Sequence, residues 1–201
     1  MRSTELTRAA RGEQDRDREL SVLGERLLKS RTILLADAIT KEVAERLTAK
    51  LLVLDQDSET KPINLYINSP GGDVDGGFAI FDMVRFVTAP VRCISTGLTA
   101  SAAVVVLLAA PKDRRLSLPN SRFLMHQPYT DVRGSTADIQ IEAKEILKIR
   151  ERINRLIAAE TGREFEKVEK DTQRNYWMTA QEAKDYGLIS RILHLKADIE
   201  K

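Results

Sequence analysis

Cysteine is almost missing from this chain of 201 residues. Cys93 is the only one, which excludes an intramolecular disulfide and any zinc cluster built on cysteines. Histidine is nearly as scarce, with His126 and His194 the only two. An excess of one charge is missing too: 32 basic and 30 acidic side chains leave a net +2. A field that small steers neither nucleic acid nor a membrane surface, so neither is expected as a partner. The longest apolar stretch, Ala102 to Ala110, falls far short of the roughly 20 residues of a membrane span. Met1 to Glu19 alternates charges with no apolar centre and does not read as a secretory signal. The expectation is a soluble, cytoplasmic protein. No internal repeat and no linker rich in Pro, Gly or Ser interrupts the sequence, and 42% hydrophobic residues suffice for one core. Residues 1–19 are expected to form a charged, mobile arm and residues 20–201 a single domain.

Apolar periodicity supplies the elements. Leu20, Leu23, Leu27 and Leu28 recur at helical spacing, Thr32 to Ala36 reads as a short strand, and Val43, Leu47, Leu51 and Leu54 mark an amphipathic helix. A strand over Ile63 to Ile67 stops at Asn68-Ser69-Pro70-Gly71-Gly72, and Val74, Phe78, Phe81 and Val84 form the next helix face. Val91 to Ser95 is a strand, and the run from Ala102 is a helix with no polar face, hence buried. Two short strands fit Arg115 to Leu118 and Arg122 to Met125. Ser135-x-x-Asp138 has the form of a capping box. The helix it opens carries Ile139, Ala143, Ile146, Ile149, Ile153 and Leu156 on one side and stops at Gly162. Two shorter helices and a strand over Leu188 to Leu193 complete the chain. Strands alternating with helices predict an α/β domain.

Three motifs carry chemistry. Gly97-Leu98-Thr99-Ala100-Ser101 runs directly into the buried helix. A serine at a helix start faces free backbone N–H groups that favour developing negative charge, although a serine there also reads as a plain N-cap. The Gly71-Gly72 turn can aim N–H groups at an oxyanion. His126, in Met125-His126-Gln127-Pro128, is a structural histidine when taken singly. His194 stands between Leu193 and Leu195 and is given no chemical role. A nucleophilic serine needs a base within reach and donors for the oxyanion, and all three motifs lie at ends of strands that can converge.

The residues that carry a family resemblance are Tyr66-Ile67-Asn68-Ser69-Pro70-Gly71-Gly72, Ala100-Ser101, His126-Gln127-Pro128, Glu182-Ala183 and Tyr186-Gly187-Leu188-Ile189. From about Leu27 to Leu193 the chain resembles the proteolytic subunit of the Clp protease, and the spacing from Ser101 to His126 agrees with that family's. The resemblance implies a crotonase-like spiral of ββα units, with Ile139 to Ile157 as a protruding handle helix. It implies Ser101 as nucleophile, His126 as general base, and Gly72 and Ala102 as oxyanion donors. Unfolded polypeptide would lie extended along Gly71, Gly72, Tyr129 and Thr130. It further implies self-association into two stacked seven-membered rings and no metal or organic cofactor. ATP would be used only by a partner unfoldase of the Clp type.

The sequence departs from that pattern at identifiable places. Asn175 stands where the family's third catalytic residue is an aspartate, and a neutral amide cannot offset the charge of an imidazolium. Asp171, four residues earlier, is a candidate substitute if that segment is helical. Gln173 replaces an acidic residue that pairs with an arginine across the ring interface, so Arg174 lacks that partner. Asn64 replaces a frequent aromatic in the groove that receives the ATPase's loops. Residues 1–19 are charged where the family start is apolar, and Ala102-Ala103 replace Met-Gly. Three readings follow: a working serine endopeptidase, a weakly active or regulatory subunit activated by a catalytic proteolytic paralogue in a mixed barrel, and a crotonase-type enzyme acting on acyl-CoA.

Overall fold

The structure, a computed structural model, describes residues 22–129 and 134–200. The expectations for the arm at 1–19 and for Thr130 lie outside the described residues. A helix over residues 22–29 (α1) leads into β1 (Thr32–Leu35), α2 (Lys41–Asp57), β2 (Ile63–Ser69), α3 (Val74–Phe86) and β3 (Val91–Ala100). Then come α4 (Ala102–Leu107), β4 (Arg115–Ser117), β5 (Arg122–Met125), α5 (Thr136–Thr161) and α6 (Phe165–Thr172). The chain closes with β6 (Tyr176–Thr179), α7 (Ala180–Tyr186), β7 (Arg191–Ile192) and a 3-10 turn over Lys196–Glu200. None of the described helices is long and apolar enough to cross a membrane.

The strands β1-β2-β3-β4-β7 form a parallel sheet in that order. Parallel pairs need crossovers, and α2, α3 and α4 supply them. Alternation in β2 turns Ile63, Leu65, Ile67 and Ser69 inward, where they meet Leu47, Leu51 and Leu54 of α2, Phe78 and Phe81 of α3, and all six residues of α4. A smaller cluster of Ile94, Leu116, Leu193 and Ile199 covers the other face, with Tyr66 against it. Cys93 lies fully buried in the main core, and burial pushes its thiol up to about 12, an inert group.

The helix ends follow local chemistry. Thr40 caps α2 by accepting from Val43 N, and Asp73 caps α3 by accepting from Gly76 N. The Ser135–Asp138 capping box forms in full, and its hydrogen bonds hold the Asp138 carboxyl below the usual range. The 26 residues of α5 span about 39 Å. Its two halves differ: Ile139, Ile141 and Leu147 are exposed, whereas Ile153 and Leu156 pack on the core and Ile157 is buried. The expected protruding handle is this free N-terminal half.

Three expectations need correction. β3 does not end at Ser95 but runs ten residues to Ala100, because it changes partners on the way. Its first half pairs with β2 and β4, and Leu98, Thr99 and Ala100 pair in parallel with Arg122, Phe123 and Leu124 of β5. Gly97 bends the strand between them at φ 92, a conformation that few side chains tolerate. The second correction is β6, a strand the sequence reading did not find. It pairs antiparallel with β5, with Met125 opposite Tyr176. The final strand is also shorter than expected, at two residues.

A buried ion cluster pins the end of α5. Arg115 on β4 is 1% exposed, donates to Ala110 O at 2.7 Å and Glu160 O at 3.0 Å, and pairs with the Glu160 carboxylate, which also takes Arg85 of α3. Glu160→Gln leaves Arg115 a buried charge without its counterion, a loss of about 3 kcal/mol. A fall of roughly 6–12 °C in thermal midpoint is expected by calorimetry, and an unchanged midpoint would show the cluster to be energetically idle.

Candidate active site

Register brings the serine and histidine together. Ala100 lies opposite Leu124 in the parallel pair, and the Ser101 N–H donates to Leu124 O at 2.9 Å. Ser101 is thereby fixed to the strand end that carries His126. Both line one cavity of about 20 Å³, room for a single water. Its other walls are apolar: Val74, Val104, Val105, Met125, Ile153 and Ile157 among them. The larger clefts, such as one of about 730 Å³ between α2 and α3, hold no serine–histidine pair.

Ser101 is not the plain N-cap that a serine in this place could be. Its side chain makes no capping hydrogen bond, and its backbone sits at φ 56, ψ −125. A non-glycine residue held there stores about 1–3 kcal/mol of strain, and the surroundings impose it. Gly71, at φ 87, backs onto the turn. A Cβ on it would stand 2.5 Å from Ala100 O, 2.7 Å from Ser101 Cβ and 2.9 Å from Ala102 N. Backbone on backbone leaves nothing that can move aside.

The neighbouring amides have the freedom an oxyanion site needs. Ile39 N donates to Gly71 O and Asp73 N donates to Ile39 O, both at 2.8 Å. Since these groups flank Gly72, its own N–H faces away from Ile39. Ala102 opens α4, so its N–H has no acceptor one turn earlier in the helix.

His126 is held by its own loop. Its Nδ1 lies 2.8 Å from Gln127 O, and a carbonyl only accepts, so Nδ1 carries the proton. In the neutral ring Nε2 is then the bare nitrogen, the tautomer that a general base toward a serine hydroxyl requires. No hydrogen bond joins Ser101 Oγ to His126 among the described residues. Tyr129, 87% exposed, stacks on the imidazole at 5.7 Å between centroids.

The third position is placed but unengaged. Asn175 directly precedes Tyr176, which lies opposite Met125, the residue before His126. Asn175 is exposed, and its amide makes no hydrogen bond among the described residues. Asp171 does not substitute for it. The segment is helical as that idea required, but the carboxylate is taken by Lys167 and by the Tyr186 hydroxyl, which donates at 2.9 Å. Burial and that bond raise the Tyr186 hydroxyl well above the usual phenol. Arg174 is exposed and unpaired among the described residues, and Asn64 Oδ1 is buried without a partner. The contribution of Gln127 O was invisible in the sequence, because a main-chain carbonyl leaves no residue-type signal.

A mainly parallel α/β sheet thus brings a strained serine and a histidine to one cavity. The profile of the family described as Clp protease matches residues 14–196. The "ATP-dependent Clp protease proteolytic subunit 2" of Treponema denticola is 51% identical over 177 residues, covering 88% of each chain. "ATP-dependent Clp protease proteolytic subunit 3" of Rhizobium johnstonii is 49% identical, covering 86% of this chain and 89% of the relative. Among solved structures, a ClpP1 from Listeria monocytogenes, a mutant with an asparagine changed to aspartate, is 43% identical with a TM-score of 0.82. That match covers 88% of this chain and 99% of the other. The chain belongs to the Clp protease family.

Gly71→Ala tests the elbow. The added methyl displaces the Ala100–Ala102 backbone, so reaction of Ser101 with a serine-directed fluorophosphonate should fall by about a hundredfold or more. Circular dichroism should show the helices intact. Retention of the wild-type labelling rate would contradict the tight backbone approach.

Proposed function

We propose that this chain is a serine endopeptidase subunit that hydrolyses unfolded polypeptide through an acyl-enzyme on Ser101. His126 Nε2 takes the hydroxyl proton as Ser101 attacks the scissile carbonyl and returns it to the leaving amine. Gly72 and Ala102 N–H groups receive the oxyanion. Substrate runs extended beside Gly71, Gly72, Tyr129 and Thr130, with backbone pairing to the β2 end. The observation that carries this reading is His126, with Nδ1 2.8 Å from Gln127 O, in one cavity with a strained, uncapped Ser101. No metal or organic cofactor enters the chemistry, and ATP is used by a partner unfoldase of the Clp type. The same reading takes the protein to be cytoplasmic and self-associated in two stacked rings of seven. The apolar residues of the free half of α5, Ile139, Ile141 and Leu147, fit a second copy better than water.

A second reading has its own support. Asn175 is neutral, so the third position offers no carboxylate to the imidazolium that forms when Ser101 loses its proton. The named relatives include numbered subunits 2 and 3, which accords with paralogues that share a barrel. In that reading the chain is weakly active or regulatory and depends on a catalytic paralogue. The acyl-CoA reading has no support from the site, since that chemistry does not need Ser101 paired with His126.

Intact mass after fluorophosphonate treatment separates the two. Labelling of Ser101 in the purified protein supports the first, labelling only when the paralogue is present supports the second, and no labelling in either case overturns both. Asn175→Asp should raise peptide turnover. Because Gln127 O already selects the tautomer, the gain comes from charge alone and is about 10- to 100-fold, well under the roughly 10⁴ lost when the tautomer fails as well. An unchanged rate in the active assembly would mean that another group already balances the imidazolium.

A further inference from the structure

If Gln127 O holds the imidazole, what holds Gln127 decides where the base points. Gln127 N donates to Thr172 O at 2.7 Å, and its side-chain Nε2 donates to Gln173 O at 3.2 Å. Both acceptors lie at the C-terminal end of α6. Thr172 is 1% exposed, and its hydroxyl lies 2.9 Å from Asn154 Oδ1 on α5. Asn154 is 2% exposed, and its Nδ2 has no partner.

A buried donor left unpaired costs about 1–3 kcal/mol, so Asn154 is a poor choice for packing alone. The amide has a way out. Thr172 Oγ1 also lies 3.0 Å from Val168 O. With the amide turned over, Nδ2 donates to Oγ1 while the hydroxyl proton goes to Val168 O. In either orientation one hydrogen bond joins α5 to the end of α6. A leucine would fill the same volume and lose only that link.

We propose that Asn154 is a positioning residue for His126, acting through Thr172 and Gln127. The path runs from the Asn154 amide to the Thr172 hydroxyl, then from the Thr172 carbonyl to the Gln127 N–H, and from the Gln127 carbonyl to His126 Nδ1. The neighbours of Asn154 on α5, Ile153 and Ile157, wall the same cavity. One helix therefore sets both the cavity wall and the direction of the base. As an account of catalysis the inference rests on the peptidase reading, but the geometry of His126 is testable apart from it.

Three full-length variants test the path: Asn154→Leu, Thr172→Val, which removes the hydroxyl at nearly constant shape, and Thr172→Ser, which keeps it. The readouts are the fluorophosphonate labelling rate of Ser101, measured with the ring partner present where needed, thermal midpoint, and the imidazole NMR spectrum. Two histidines make that spectrum simple, and His194, whose backbone N–H donates to Asp198 Oδ2 near the C-terminus, serves as the internal control. Asn154→Leu and Thr172→Val should each slow labelling by about tenfold or more and move the His126 signals, with His194 unchanged. Thr172→Ser should behave as wild type, and the double variant should be no worse than either single one. If Asn154→Leu does not fold, Thr172→Val decides. Unchanged His126 signals and labelling in Thr172→Val overturn the proposal, whatever the midpoint does. Absence of labelling in wild type removes the peptidase reading, while the His126 signals still decide the path.

Discussion

The site depends on one strand pairing. The far half of β3 leaves β2 and β4 behind and hydrogen-bonds to β5. Without that pairing Ser101 and His126 would belong to different parts of the surface. The pairing in turn requires the bend at Gly97 and the antiparallel cover of β6, which gives β5 its second neighbour. A four-residue strand such as β5 holds its register weakly alone and firmly between two partners. The end of β5 is thus where β3 delivers Ser101, the His126 loop begins, and β6 brings up Asn175.

Rigid backbone around Ser101 explains why the elbow persists despite its strain. The Ser101 N–H is tied to Leu124 O and its carbonyl accepts from Val104 N at 2.9 Å, while Gly71 presses from behind. These are main-chain contacts on both sides of one residue, so relaxing φ at Ser101 would break the β5 link or the first turn of α4. The cost of the strain is met by two hydrogen bonds and a buried helix. The serine hydroxyl, spared from capping, stays free to react.

Much of the fold was legible because core periodicity and turn chemistry agree with each other. Leu47, Leu51 and Leu54 are buried as their spacing requires, the Ser135–Asp138 box closes, and α5 ends at Gly162 as expected. Failures came where tertiary pairing overrode local pattern. Gly97 reads as a turn residue, yet the strand continues through it because β5 is waiting on the far side. Tyr176-Trp177-Met178-Thr179 has strand-forming residues, but four of them between two helices give too short a signal. At the site, residue types pointed to Ser101, His126 and the Gly71-Gly72 turn and the family resemblance added Ala102, whereas the hold of Gln127 O on the imidazole belongs to backbone geometry.

Asparagine at position 175 has different consequences for the two jobs of a third catalytic residue. One job is to select the Nδ1-protonated tautomer, and a neutral carbonyl does that as well as a carboxylate. Gln127 O already does so here. The other job is to stabilise a full positive charge in a site walled by Val, Ile and Met side chains, where a missing counter-charge is felt strongly. A dipole gives only part of that stabilisation. Under the proposed mechanism, the ground state of His126 is therefore well organised and the transition state is under-supported. A chain with these properties gains most from a change that brings negative charge or a stronger acceptor toward Nδ1. It gains little from one that merely tightens a histidine that is already held.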